Sequence, residues 1–152
     1  MNHMKYDRYT YRGRMTSLGK WMYGAYVLSL TEPHIMSDKA LAAVDPVTVG
    51  LCADMPDKNG ATLFEGDICC TNGNQHERYE ICYGEFKVYN FEDEEVQDFA
   101  VGWYMKVIPT SAFDRCEPFC FEIPLNSIWI ARLEVEKIGN IHDNPELLEV
   151  GE

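Results

Sequence analysis

The stretch Asp57-Lys58-Asn59-Gly60-Ala61-Thr62-Leu63-Phe64-Glu65-Gly66-Asp67-Ile68-Cys69 constrains this chain more than any other. Asn59-Gly60 is a turn dipeptide, because both residues tolerate positive φ. Leu63 and Phe64 are apolar and suit a sheet. Gly66, between Glu65 and Asp67, lets the chain bend where other residues resist. Ile68 and Cys69 then re-enter a core. A turn, a short strand, a tight bend and a buried strand follow one another here, so the middle of the chain is committed to β-structure.

The flanking sequence continues the pattern. Tyr9 to Met15, with its alternating arginines, and Lys20 to Leu30, with Trp21, Tyr23 and Tyr26, read as a β-hairpin closed at Ser17-Leu18-Gly19. Pro33 ends it, since proline cannot donate to a ladder. Ile35 to Val44 fits a short helix capped by Ser37 or a loop carrying one strand. Val47 to Leu51 is a β-branched run after the Asp45-Pro46 turn. Arg78 to Tyr83 and Glu85 to Phe91 read as two strands joined at Gly84, and Phe99 to Ile108 as another. Phe119 to Ile123 suits a short edge segment. Ile128 to Ile138 is the last strand candidate, with a helix over Ala131 to Lys137 as the alternative. Asn144-Pro145-Glu146 reads as a helix start, with Asn144 as N-cap and Pro145 in the first turn. Many short strands, glycine turns and few helices argue for a small all-β barrel or sandwich. The natural division is a hairpin region over residues 1–44 and a barrel core over residues 45–152.

Charge narrows the partners. The chain carries 13 basic and 25 acidic residues, a net charge of −12. Non-specific affinity for nucleic acid comes from cations that neutralise phosphates, so direct binding to DNA or RNA is disfavoured, as is an anionic membrane surface. The charge favours a solvated acidic surface, or a basic protein as partner. The apolar run Trp21 to Leu30 is too short to span a bilayer. Met1 to Lys5 leads into Tyr6-Asp7-Arg8 without the apolar core of a signal peptide. The six cysteines are therefore expected as reduced thiols in a cytoplasm. Their spacing fails as a zinc signal: Cys69 and Cys70 are adjacent, and Cys116 and Cys120 lack a second pair. Buried or half-buried thiols acting as small hydrophobes are expected.

Three blocks resemble the YopX-like phage and prophage proteins. Arg12-Gly13, Gly19-Lys20-Trp21-Met22-Tyr23-Gly24 and Val44-Asp45-Pro46-Val47-Thr48-Val49-Gly50 resemble the N-terminal part of that family. Asp57-Lys58-Asn59-Gly60 with Phe64-Glu65-Gly66-Asp67-Ile68 resembles its central signature. Ile138-Gly139-Asn140-Ile141-His142-Asp143-Asn144-Pro145 and the residues to Leu148 resemble its C-terminal signature. The blocks occur in the family's order. The resemblance implies a mainly β protein with an SH3-like barrel in its C-terminal half, encoded by a phage or integrated element and acting in a bacterial cytoplasm. It brings no assigned activity. It marks Trp21, Gly24, Asp57, Asn59, Gly60, Glu65, Gly66, Asp67, Gly139, Asn140, Asn144 and Pro145 as signature positions. The chain departs from the family at Ala53-Asp54-Met55-Pro56, where the added proline stiffens the approach to the turn.

No catalytic, cofactor-binding or metal-binding residues are assigned. Glu65 and Asp67 lie two apart and would share a face of an extended chain, but Gly66 between them favours a bend in which Asp67 bonds backbone N–H groups. His3, His34, His76 and His142 are dispersed and form no metal motif. Glu92 to Glu95 lacks the Ca²⁺-loop pattern and reads as a solvated loop, with an acidic contact surface as the alternative. Phosphate loops and nucleophile elbows are missing from the sequence. Trp21, Tyr23, Trp103, Tyr104 and Trp129 suit a core, with a peptide groove as the alternative. The expectation is a non-catalytic protein-binding module, including a decoy that mimics nucleic acid. The competing expectation is a hydrolytic or metal-dependent enzyme, which requires Glu65, Asp67 and His142 to converge in a pocket. Self-association is left open.

Overall fold

The computed structural model describes residues 6–28, 31–90, 92, 95–117 and 119–149, the side chain of Gln97 excepted. The protein is mainly β, with two antiparallel sheets and one short α-helix among the described residues. The first sheet holds β1 (Tyr11–Arg14), β2 (Trp21–Leu28), β3 (Pro33–Met36), β4 (Leu41–Ala43), β5 (Gly50–Pro56) and β6 (Thr62–Phe64), in the order β4-β3-β2-β1-β5-β6. The second holds β7 (Asp67–Thr71), β8 (Asn74–Asn90), β9 (Glu95–Ile108), β10 (Ile123–Pro124) and β11 (Glu136–Asn140), in the order β10-β9-β8-β7-β11. The helix α1 spans Ser127–Arg132.

The expected N-terminal hairpin is present, with Arg12 opposite Tyr23 and Arg14 opposite Trp21. Its far end at Ser29 and Leu30 lies outside the described residues, as does His3. The segment from Ile35 to Val44 is neither a helix nor a loop with one strand. It is a second hairpin, in which Ile35 faces Ala42. Ser37 spends its hydroxyl on the turn, accepting from the N–H groups of Lys39 and Ala40, and so caps no helix. Pro33 begins β3 rather than merely ending its predecessor, since a first strand residue has no need of an N–H.

Val47 to Leu51 also differs from expectation. Asp45 accepts from the Val47 N–H and draws Pro46–Thr48 into a 3-10 turn, so the strand starts only at Gly50. Beyond residue 45 the chain still builds the first sheet: β5 pairs β1, and β6 pairs β5. The approach to the central turn is irregular, with the β5–β6 register shifting between Cys52 and Pro56 and Asp54 at φ +55°.

Gly84 does not join two strands. β8 runs straight through it as one 17-residue strand, paired with β9 from Arg78↔Ile108 to Asn90↔Glu95. The turn lies earlier, at Asn72-Gly73, where both residues have positive φ. Of the acidic run, Asp93 and Glu94 lie outside the described residues and Glu95 opens β9. Ile128 to Ile138 splits into α1 and β11. Asn126 accepts from the Trp129 N–H as the helix cap, which makes the helix start earlier than Ala131. Pro145 does open a helical turn, Pro145–Leu148, but Asn144 does not cap it; its side chain accepts from the Asn140 N–H instead.

The main core lies on the second sheet. Cys69, Ile81 and Met105 pack with Leu125, Ile130 and Val135 beneath α1, and with Ala53 and Leu63 from the first sheet. A smaller core of Met22, Ile35 and Val44 serves the N-terminal hairpins. All five residues of β7 are buried, because β8 and β11 flank it and side chains cover both faces. Neither ladder closes on itself among the described residues. The β8–β9 ribbon is nevertheless bent. Phe121 lines a cavity with Tyr79 and Val107, yet it stacks on Tyr89 at 4.0 Å. Ten residues of straight strand would separate Tyr79 from Tyr89 by about 33 Å. Gly84 and Gly102, paired across the ladder, provide a rung without Cβ atoms midway.

Candidate functional site

All the signature residues but Gly24 gather where the first sheet touches β7 and β11. Arg12 on β1 is buried at 2% exposure and reaches Asp67 at the start of β7, Nη1 to Oδ1 at 2.7 Å. Its Nη2 donates to the Glu65 carbonyl at 3.2 Å. The guanidinium lies 4.8 Å from the Trp21 ring centroid and 5.1 Å from that of Phe64. Asp67 is completely buried; its Oδ2 accepts from the Phe64 N–H at 2.7 Å and contacts Lys137 Nζ at 3.1 Å. One carboxylate thus gathers two cations and a backbone donor from β1, the β6–β7 bend and β11. Breaking such a buried pair leaves an uncompensated charge.

Asp57 fastens the central turn to the same edge. Its Oδ1 accepts from the N–H groups of Asn59 and Ala61, both at 2.9 Å, and its Oδ2 from that of Lys137 at 2.9 Å. Asn59 donates onward to Glu136 at 3.3 Å, and Gly60 takes φ +87° in the turn. Gly66 has φ +88°, a value that side chains resist. Its N–H donates to the Ile81 carbonyl, and its own carbonyl accepts from Ile141, which ties the bend to both neighbours of β7.

The C-terminal signature closes over Trp21. Asn140 Oδ1 accepts from the N–H groups of His142 and Asp143, and its Nδ2 donates to Asp143. Asp143 accepts from Trp21 Nε1 at 2.7 Å and pairs with Arg14. Partial burial pushes the Asp143 carboxyl up, but the hydrogen bonds from Asn140 and Trp21 and the Arg14 charge outweigh it, so it titrates below the usual carboxylate range. A Cβ on Gly139 would fall 2.4 Å from Asn144 Oδ1, so another residue there would push the Asn144 side chain off the Asn140 N–H. Gly24 stands apart on β2, beneath the Met36 carbonyl.

Beside this junction lies a cavity of about 320 Å³ whose walls include Glu65, Glu80, Cys82, Tyr83, Tyr104 and His142. Burial, then the nearby Glu80 charge, push the Glu65 carboxyl up. Burial, then the Arg12 and Arg14 charges, push the His142 imidazole down and favour its neutral form. Burial, with Glu80 adding to it, raises the Cys82 thiol to about 12, far from a reactive thiolate. Glu65 and His142 therefore converge, as a hydrolytic site would need, but Asp67 does not join them. Its carboxylate is consumed by Arg12 and Lys137. Among the described residues no group of three or more His, Cys, Asp or Glu is placed to hold a metal ion. His34 and His76 lie elsewhere, His76 on a second cavity of about 420 Å³ with Phe113, Phe119 and Phe121.

The six cysteines are free: Cys52, Cys69 and Cys70 are buried and Cys82 and Cys120 half-buried, whereas Cys116 is exposed, contrary to expectation. Sequence reasoning missed Arg12 as the centre of the junction and Glu80 in the cavity, and named Asp143 and Cys82 only as a signature residue and a thiol. The available signal for Arg12 was its position between aromatic strand residues in a stretch of alternating arginines. Nothing in the sequence marked Glu80, which reaches the cavity only because β7 leaves β8 at that point.

No described helix is long and apolar enough to cross a membrane. No curated protein matches the chain. A family model described as YopX protein matches residues 47–149, a range that holds the central and C-terminal signatures and excludes Arg12, Trp21 and Gly24. The chain belongs to the YopX family.

Proposed function

We propose that this protein is a non-catalytic protein-binding module of phage or prophage origin, acting in the cytoplasm of a bacterial host. One observation carries this reading. On the outer half of the β8–β9 ribbon, Tyr83, Phe99 and Val101 lie on one face at neighbouring rungs and stay 51%, 57% and 71% exposed. Scattered apolar residues are ordinary on a surface, whereas a contiguous group marks an interaction site. The bend at Gly84 and Gly102 supports reading this half as an SH3-like barrel, since strands of small barrels must curl strongly. The net charge of −12 favours a basic partner and predicts no retardation of duplex DNA at physiological salt in a gel shift.

Affinity capture from host cytoplasm tests the reading. Wild-type protein should retain one partner in stoichiometric amount, and the double variant Phe99→Ser, Val101→Thr should release it. Capture of nothing, or equal capture by the variant, removes the proposal. The cavity that holds both Glu65 and His142 favours a second reading, a hydrolytic enzyme. Turnover of simple ester, phosphate or glycoside substrates, with or without added divalent metal, and its loss in Glu65→Gln, would establish that reading. Absence of turnover across the panel eliminates it.

A further inference from the structure

The open edge of β8 begins where β7 leaves it. β7 follows β8 as far as the Ile68↔Glu80 pair, and the last bond across runs from the Gly66 N–H to the Ile81 carbonyl. In an antiparallel ladder, alternate residues turn both backbone groups to the same side. Ile81 therefore faces β7, and Cys82, Gly84 and Phe86 bond toward β9. Tyr83, Glu85 and Lys87 turn their N–H and C=O groups the other way. Among the described residues, none of these six groups has a backbone or side-chain partner. An edge of this kind is a template for one more strand.

The surroundings specify what that strand would carry. At the foot of the edge, Glu65, Glu80 and Tyr83 line the cavity of about 320 Å³. Along the ribbon's outer half lie Glu85, Glu92, Glu95 and Asp98 with Lys87, while at its foot Lys106 stands opposite Glu80 across the ladder and the Arg12 and Arg14 charges reach His142. The apolar Phe99 and Val101 occupy the face that Glu85 and Lys87 share. Resting on the binding-module reading, we infer that the β8 edge takes an extended segment of a partner protein as an added strand, alternating apolar with basic residues. An arginine or lysine of that segment enters the Glu65–Glu80 cavity. Main-chain bonds to Tyr83, Glu85 and Lys87 supply the docking, and the acidic flank selects the charge. A second copy of this chain is the poorer occupant, because it would set the same acids against themselves across the new pair.

A nine-residue peptide alternating valine with arginine, and a counterpart with glutamate for arginine, test the idea. Binding is followed by fluorescence anisotropy and by exchange of individual amides. The arginine peptide should bind saturably, about tenfold or more tighter than the glutamate peptide. The Tyr83, Glu85 and Lys87 amides should gain protection. Lys87→Pro removes one outward N–H from an edge position where proline is tolerated, and should abolish binding. Glu85→Lys leaves the backbone intact and should weaken the arginine peptide and strengthen the glutamate one. Three results overturn the inference: no binding of the arginine peptide, equal binding of both peptides, or binding that leaves those three amides unprotected. A dimer of the free protein, seen by sedimentation, in which the three amides are already protected, also overturns it. Failed peptide binding alongside partner capture that depends on Phe99 and Val101 removes strand addition and spares the binding-module reading. Failure of capture alone removes that reading.

Discussion

The two ends of β8 sit in opposite environments. At its start, β8 lies against β7, whose five residues are all buried and whose Asp67 is locked between Arg12 and Lys137. At its far end, the same strand has β9 as its one ladder neighbour among the described residues, and apolar side chains of the ribbon meet solvent. A two-stranded ribbon is marginal alone in water, so the outer half relies on its bend and on contacts such as Tyr89 with Phe121. Stability is thus concentrated at one end and exposed apolar surface at the other. That separation lets the exposed end tolerate an apolar surface without endangering the fold.

The most severe test removes the partner of the locked end. A chain beginning at Asp45 lacks β1 and hence Arg12, and leaves Asp67 with Lys137 and the Phe64 N–H. It should aggregate on size-exclusion chromatography and lose amide protection in β7. A soluble, monomeric and well-protected fragment would show that the first hairpin is dispensable. Next in size is Asp67→Ala, which leaves two cations at a buried position and should destabilise the protein by about 3–5 kcal/mol in urea unfolding.

Trp21→Phe keeps an aromatic ring but loses the indole N–H and its hydrogen bond to Asp143, and should cost about 1 kcal/mol. It should also raise the Asp143 pKa, read by carboxyl NMR. In the native protein that pKa is depressed, so the stabilisation it brings is present above the ordinary carboxylate value and lost as pH falls through the folded one.

Glu65→Gln tests the cavity between the two regions. The folded pKa of Glu65 lies above 4.5, so in the window between the two values the folded chain holds a proton that the unfolded chain releases. Stability from this group therefore falls as pH rises through that window. Glutamine has no charge to bury, so the variant should be more stable than the parent at neutral pH, with the gain vanishing below pH 4.5. The smallest effect belongs to the exposed end: Val101→Thr should change stability by no more than about 0.5 kcal/mol. A larger loss would mean that the ribbon face is packed in solution.

Local chemistry made much of this legible. Asn59-Gly60 and the bend at Gly66 were readable because positive φ selects for few residues, and the first hairpin because its aromatics alternate. The errors have a common cause. Gly84 looks like a turn in a one-dimensional pattern, but a glycine facing a glycine across a ladder serves curvature equally well. Asn144 looks like a helix cap until Gly139 brings the Asn140 N–H within its reach. Val47 has a strand former's side chain, yet the Asp45 carboxylate decides its backbone. In each case the deciding partner is another residue that composition cannot rank. The junction was legible as a set of positions and illegible as a structure, because Arg12, Asp67 and Lys137 are joined only by the fold.

The contact between Lys137 and Asp67 also sets a timetable. During synthesis, Asp67 emerges 70 residues before the lysine that completes its surroundings. At about 5–20 residues per second, that gap lasts roughly 4 to 14 s. For most of it, once Asn74–Asn90 have followed, β7 has β8 available on one side and nothing from β11 on the other, so Ile68, Cys69 and Cys70 wait with one strand edge bare. The nascent chain is therefore most vulnerable to misassociation in the interval before β11 is made, and chaperones that shield extended apolar segments would have their greatest influence on its yield then.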